Sequence, residues 1–227
     1  MQKDSVTDKA LVIYSGGMDS TVCLYLAKKK HKSVEAISFD YNQKHKIELR
    51  KSKVILKLLG INGTVVRIPK ELFIGSSLTD RKLSVPKKSL HKQKLPNTYV
   101  PGRNILFLSF AVSFAEGRGI QNIYLGVNAL DYSGYPDCRP KFIESYQKSI
   151  DLGIRGFGST GIKIHTPLVH LTKKEIVILA DKMKVPLDLT HSCYDPLRGK
   201  PCGDCDRCIL RNRGIEEAGL TYRYKIW

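Results

Sequence analysis

The chain has 227 residues, 42% of them hydrophobic, enough for one sizeable core and too little for two full domains. Its 38 basic and 21 acidic residues give +17, a charge that points to an anionic partner without separating a nucleotide from a nucleic acid. No early stretch joins a basic start, an apolar run and a small-residue cleavage site. No run reaches the roughly 18 to 20 apolar residues that span a bilayer, so the expected address is the cytoplasm, with no membrane partner. Six cysteines are too few for a disulfide scaffold, and four of them crowd between Cys193 and Cys208, where close spacing favours metal chelation in a reducing compartment.

The first element is the apolar run ALVIY over 10–14, a strand that stops at Ser15-Gly16-Gly17; residues 20–30, STVCLYLAKKK, then follow a helical pattern. A buried strand is expected over 34–41, then a charged helix from Lys44 to Leu59 that turns Ile47, Val54, Ile55, Leu58 and Leu59 to the core and ends at Gly60. TVVRI over 64–68 is the third strand. Pro69 to Gly102 has no strong period, and its basic cluster of Arg81, Lys82, Lys87, Lys88, Lys92 and Lys94 around His91 reads as a solvated loop. From Arg103 a helix apolar nearly all round leads to a fourth strand, NIYLGV, over 122–127. Residues 140–153 carry proline at the first helical turn and glycine at the end. IKIHTPL over 162–168 is a short strand or extended passage, and Thr172 with Glu175 forms a capping box for the next helix. Alternating strands and helices of this kind predict a doubly wound, mostly parallel α/β sheet.

Between the first strand and its helix lies Y-S-G-G-M-D-S-T. Adjacent glycines allow a tight turn with bare N–H groups, Ser15 and Ser20 add hydroxyls, and the helix N-terminus points at the same spot, which together suit a phosphate. An ordinary turn has the same composition. The loop lacks the lysine of the kinase-type phosphate loop and the three-glycine spacing of a dinucleotide fingerprint. S-G-G-x-D-S resembles instead the signature of the pyrophosphate-loop ATP pyrophosphatases. That resemblance assigns Ser15, Gly16, Gly17, Met18, Asp19, Ser20 and Thr21 to ATP, with Asp19 serving magnesium or the organisation of the loop, since a bare carboxylate repels phosphate.

Cys193, Cys202, Cys205 and Cys208 are spaced C-x8-C-x2-C-x2-C, which supplies four soft ligands to one closed tetrahedral site. One structural zinc ion per chain is expected; an iron–sulfur cluster is the competing occupant, and a redox dithiol leaves two cysteines unexplained. With zinc and four thiolates the net charge falls to about +15. Cys23 falls in a helical pattern and reads as a small buried hydrophobe.

From Leu11 to Leu220 the chain resembles the 7-cyano-7-deazaguanine synthase family. The passages VIYSGGMDST, SFDYNQKHKIEL, YVPGRNILFLSFAVSFAE, ALDYSGYPDCRPKF and HSCYDPLRGKPCGDCDRCILRNRGIEEAG carry the likeness. It implies a Rossmann-like core of the adenine nucleotide alpha-hydrolase type over 1–190 and a zinc-binding element over 191–227 packed on it. It also implies a ligase that turns 7-carboxy-7-deazaguanine and ammonia into the nitrile with ATP, on the way to the queuosine base, and a homodimer or larger homo-oligomer. Its deazaguanine-side passage falls on Asp131, Ser133, Tyr135, Pro136, Asp137, Cys138 and Arg139. Asn42 stands where the family often has glycine, and asparagine tolerates the left-handed backbone.

Adenylation of a carboxylate needs positive groups around the developing phosphate charge, for which Arg103, Lys163 and Arg139 are candidates. Arg139 has the alternative of pairing with the substrate carboxylate. Asp131 or Asp137 suits the guanine-like edge, Tyr135 suits stacking on the base, and the same passage also makes a good surface turn. Two other functions compete. A tRNA-modifying ATP pyrophosphatase fits the charge but needs a recognition module for which little length remains, and a non-catalytic zinc-knuckle module fits the cysteines alone. A nucleic-acid partner is not expected.

Overall fold

A computed structural model describes residues 8–44, 47–89, 95–129, 134–155 and 161–227. Strands β1 (Lys9–Ile13), β2 (Ser33–Asp40), β3 (Asn62–Arg67), β4 (Asn122–Tyr124) and β5 (Lys163–His165) form one parallel sheet in the order β3-β2-β1-β4-β5. The helices are α1 (Met18–Lys30), α2 (Ile47–Leu59), α3 (Arg103–Arg118), α4 (Pro140–Gly153), α5 (Lys173–Lys182) and α6 (Asp206–Glu217).

Strand alternation sets up two apolar layers. Leu11 and Ile13 of β1 face the side covered by Phe107, Leu108 and Ala111 of α3 and by Ile143 and Ile150 of α4. Ala10 and Val12 face the opposite side, with Val22 and Leu24 of α1, Ile55 of α2, Ile176 and Val177 of α5 and Ile215 of α6. Both faces are covered, as a parallel sheet requires, and this explains why β1 is apolar at nearly every position. Cys23 is fully buried in the second layer, where burial pushes its thiol well above the usual range. Among the described residues no helix is long and apolar enough to cross a membrane.

The expected elements recur, with only β4 and β5 shorter than expected. β4 stops at Tyr124, after which Leu125, Gly126 and Val127 line the site, and β5 stops at His165. Asn42 does take a left-handed backbone, φ 61°. The capping box is present, with Glu175 N donating to Thr172 Oγ1 at 3.3 Å and Thr172 N to Glu175 Oε2 at 2.8 Å. Two helices differ from expectation. In α2 the buried residues are Ser52, Ile55 and Leu56, while Val54 and Leu58 are 50% and 63% exposed. The helix is rotated because Ser52 must pass beside the glycine turn, so a polar residue occupies a position that an apolar stripe would give to its neighbours. In α3, Ile105 and Phe110 remain partly exposed, and one face, not the whole circumference, is packed.

The rotated face of α2 has a direct consequence. Ile55→Ala is expected to cost about 2–5 kcal/mol in urea denaturation, and Leu58→Ala less than about 0.5 kcal/mol. Equal losses would mean that Leu58 is the core residue.

Candidate active site

The strand order turns back between β1 and β4, and the crevice at the carboxyl ends of these strands is the usual ligand position in a doubly wound sheet. β1 delivers Ser15-Gly16-Gly17 there. Gly16 has φ +86°, and a Cβ on it would lie 2.7 Å from the carbonyl oxygen of Glu48, so both conformation and space demand glycine. Gly126, just after β4, would bring a Cβ to 3.1 Å from Ser20 N, which is how β4 closes against the start of α1. Gly17 N donates to Ser15 Oγ at 3.2 Å, and Ser20 Oγ donates to Gly17 O at 3.1 Å. Thr21 Oγ1 donates to Gly17 O at 2.8 Å and is fully buried, so it supports the loop from behind. From the C-terminal part, His191 N donates to Gly16 O at 3.0 Å and Met18 N to Ser192 Oγ at 3.4 Å.

At the first turn of α1, Asp19 meets a cationic cluster. Its Oδ2 accepts from Lys173 Nζ at 2.5 Å and Asn128 Nδ2 at 3.1 Å, with Arg207 Nη1 at 3.5 Å. Lys173 is 6% exposed. Asp19 Oδ1 is buried and has no hydrogen-bond partner among the described residues. A carboxylate oxygen left bare beside a phosphate-type turn is a suitable ligand for a hard cation such as magnesium.

The cavity around this loop contains about 1210 Å³ of atom-free space, part of it open to solvent. Its lining combines Ser15, Asp19 and Ser20 of the loop with the rings of Phe39, Tyr41, Phe107 and Tyr135 and with Cys138, Glu48, Tyr194, Arg103 and Arg207. Phe39 stacks on Phe107 at 4.1 Å, giving an apolar wall beside the charged loop. Arg103 lines this cavity, and its Nε is buried without a hydrogen-bond partner among the described residues. Burial pushes the Glu48 carboxyl up to about 8, against the pull of Arg207 and Arg103.

The structure brings together Ser15, Gly17, Met18, Asp19, Ser20, Arg103, Tyr135 and Cys138 of the expected site residues. Asp137 is buried behind them, its Oδ2 accepting from Asn104 N at 2.9 Å. It thereby holds the first turn of α3, and Asn104 Nδ2 donates on to Cys138 Sγ at 3.1 Å. Pro136 opens a short 3-10 turn, and Arg139 is an exposed cap of α4 outside the cavity lining. Asp131 and Ser133 lie outside the described residues. Lys163 opens β5 in register with Asn122, the first residue of β4, and therefore sits at the amino end of the sheet, away from the loop. It is not among the residues that line the cavity. Sequence reading passed over Lys173, Arg207, Asn128, Ser192, Glu48 and Tyr41. Lys173 follows a helix cap and resembles any surface lysine; Arg207 stands between two cysteines and is masked by them.

Cys193, Cys202, Cys205 and Cys208 converge, all four sulfurs within 4.8 Å of one another and the two nearest pairs at 3.5 Å. Four sulfurs at about 2.3 Å from one tetrahedral ion stand roughly 3.8 Å apart, so the cluster fits a metal. The amides of Tyr194, Asp195, Cys202 and Cys205 donate to sulfurs at 3.2–3.4 Å, as they would to thiolates. Tyr194 and Arg207, each adjacent in sequence to a ligand, reach into the cavity, where Arg207 Nε donates to Tyr194 Oη at 2.8 Å. The basic segment expected as a solvated loop is in part docked here. Lys87 pairs with Asp195 and Asp204, whereas Arg81 and Lys82 are exposed, and His91, Lys92 and Lys94 lie outside the described residues.

Comparison with known proteins places this geometry. The family model described as queuosine biosynthesis protein QueC matches residues 9–219. The 7-cyano-7-deazaguanine synthase of Leptospira interrogans is 57% identical over 219 residues, covering 96% of this chain and 90% of the relative. That of Leptospira biflexa is 58% identical over 233 residues, covering 95% and 94%. Among solved structures, NMN synthetase from Francisella tularensis superposes with a TM-score of 0.50 at 18% identity, covering 96% of this chain and 74% of that one, a likeness of fold. A match that runs from β1 to just beyond α6, through the loop, the Tyr135–Cys138 turn and all four clustered cysteines, shows that the chain belongs to the queuosine biosynthesis protein QueC family.

Proposed function

We propose that this chain is an ATP-dependent carbon–nitrogen ligase that converts 7-carboxy-7-deazaguanine and ammonia to 7-cyano-7-deazaguanine in queuosine biosynthesis. The observation that carries the reading is a single cavity lined both by the Ser15–Ser20 turn, whose Asp19 meets Lys173 and Arg207, and by Arg103 with the rings of Phe107, Tyr41 and Tyr135. Such a cavity suits a triphosphate at one end and a flat heterocycle at the other.

In this mechanism a substrate carboxylate oxygen attacks the α-phosphorus, pyrophosphate leaves, and the resulting acyl adenylate is displaced by ammonia to give the amide and AMP. A second ATP adenylates the amide oxygen; loss of AMP and of the nitrogen-bound protons leaves the nitrile. The loop amides and hydroxyls hold the pyrophosphate portion, and Arg103 supplies a fixed cation where charge develops. Asp19 keeps Lys173 and Arg207 aimed at the loop, and its bare Oδ1 is the position for magnesium, which when bound neutralises phosphate charge. Tyr135 and Cys138 meet the deazaguanine. Asp137 acts on that side through Asn104 and α3, which leaves Asp131 as the candidate for the base edge. Glu48, mostly protonated at neutral pH, presents a donor without adding a repelling charge beside the triphosphate. The four cysteines hold one structural zinc, whose closed shell has no place for substrate.

Three outcomes test this reading. Asp19→Asn should lower formation of the nitrile from MgATP, ammonium and the acid, followed by mass, about 100-fold or more. It should also lower the melting temperature, because Lys173 loses its counter-charge in a buried place. Near-parental turnover at saturating MgATP would rule out the role given to Asp19. Cys205→Ser should reduce zinc from about one per chain to little and abolish cooperative unfolding. A variant that melts normally without metal removes the structural role, and iron–sulfur absorbance in an anaerobic preparation changes the occupant.

For Glu48 the sign follows from its raised folded value. Between about pH 4.5 and about pH 8 the folded chain binds the proton that the unfolded chain releases, so this group's contribution to stability is lost as pH rises through that window. Glu48→Gln has no such loss, and its melting temperature relative to the parent should climb by several degrees from about pH 5 to about pH 8. A constant difference contradicts the shift.

A further inference from the structure

The segment before residue 90 does more than cover the cysteines. Lys87 stands across from Cys205 in an isolated antiparallel bridge, Lys88 N donates to Asp204 O at 2.9 Å, and Ser89 donates from N and Oγ to Asp206 at 3.0 and 2.7 Å. This backbone alignment sets the Lys87 ammonium between two loops that carry the ligands. It lies 2.9 Å from Asp195, two residues after Cys193, and 3.0 Å from Asp204, between Cys202 and Cys205. Asp195 and Asp204 belong to different loops, so one cation ties both arms of the cluster together.

Charge gives this position its meaning. Four thiolates around a divalent ion leave about −2, and Asp195 and Asp204 add to it within a few ångströms. Uncompensated, that density spreads the two loops apart. We propose that Lys87 is a positioning residue of the metal centre: its ammonium offsets the anionic shell and staples the Cys193 arm to the Cys202–Cys205 arm, so that it governs how tightly and how long the ion is held. Outer-shell partners of this kind typically change metal affinity about 10–100-fold. The proposal rests on the four-thiolate metal reading.

The test follows zinc transfer from the purified full chain to 4-(2-pyridylazo)resorcinol under native conditions, with thermal melts on the same preparations. Lys87→Met should release zinc about tenfold faster or more. Lys87→Arg should recover most of the retention, and Lys88→Met, whose side chain is exposed and which among the described residues bonds through its backbone amide, should behave as the parent. Because the staple is about one-third exposed, parental release should also accelerate between about 0.1 M and about 1 M salt, a measurement that needs no variant. A zinc-loaded parent whose release ignores salt, or a folded Lys87→Met chain that releases zinc at the parental rate, overturns the staple alone. A parent that holds no metal overturns the four-thiolate reading and the staple together.

Discussion

Asp19 carries two requirements that pull against each other. Its carboxylate lies in the first turn of α1, where the helix dipole favours an anion, and at the mouth of a turn built to receive anions. The conflict is settled by Lys173 and Arg207, which bring α5 and α6 onto the same oxygen. A pair this buried gains little net stability over well-packed apolar groups. What it secures is geometry: three helices from distant parts of the sequence are fixed to the strand switch point, with cations held within reach of the loop. Gly16 and Gly126 serve the same end from the backbone side, since their missing Cβ atoms let α2 and β4 close on the turn.

Helix α6 links this cluster to the cysteines. Its N-terminal turn holds both Arg207 and Cys208, and one turn further Arg211 is fully buried, donating to Thr190 Oγ1 and Leu187 O at 2.9 and 2.8 Å. Burial draws the Arg211 guanidinium down to about 10, and its cation also lies 4.1 Å from the Trp227 ring. The residues it steadies run directly into His191 and Ser192, which bond the glycine turn. A metal at the head of α6 would act through position, by fixing where Arg207 and Tyr194 stand at the cavity.

The strands, α1, α4 and the capping box were legible because short-range chemistry fixes them: apolar runs, SGG, Pro140 with Gly153, Thr172 with Glu175. The loop and the cysteine quartet were legible for the same reason, each being contiguous or nearly so. Errors arose where tertiary neighbours choose the answer. Val54 and Leu58 share the composition of a buried stripe, but the need to place Ser52 against Gly16 turns them outward. Lys163 and Arg139 are basic residues in suggestive passages, yet strand direction puts one at the wrong end of the sheet and helix capping puts the other outside the cavity. Lys173 and Arg207 are the cations that meet Asp19 beside the loop, and nothing in their own sequence surroundings distinguishes them from solvated cations.

The same distinction decides what the high net charge means. A zinc-knuckle module that binds nucleic acid needs basic side chains projecting from the knuckle toward phosphates. Here Arg198 and Lys200, between Cys193 and Cys202, are exposed, whereas Lys87 pairs with Asp195 and Asp204, Arg207 meets Asp19 and Tyr194, Arg211 lies in the core and Lys173 beneath the loop. By contrast Lys28, Lys29 and Lys30 are exposed at the carboxyl end of α1, where cations complement the helix dipole, on the far side of the helix from the glycine turn. The positive charge thus divides into an internal set around the loop and a solvent-facing remainder that includes Arg81, Lys82, Arg198 and Lys200 as well as the α1 lysines. The internal set is directed at a ligand small enough to enter the cavity, and the cysteine cluster is its scaffold.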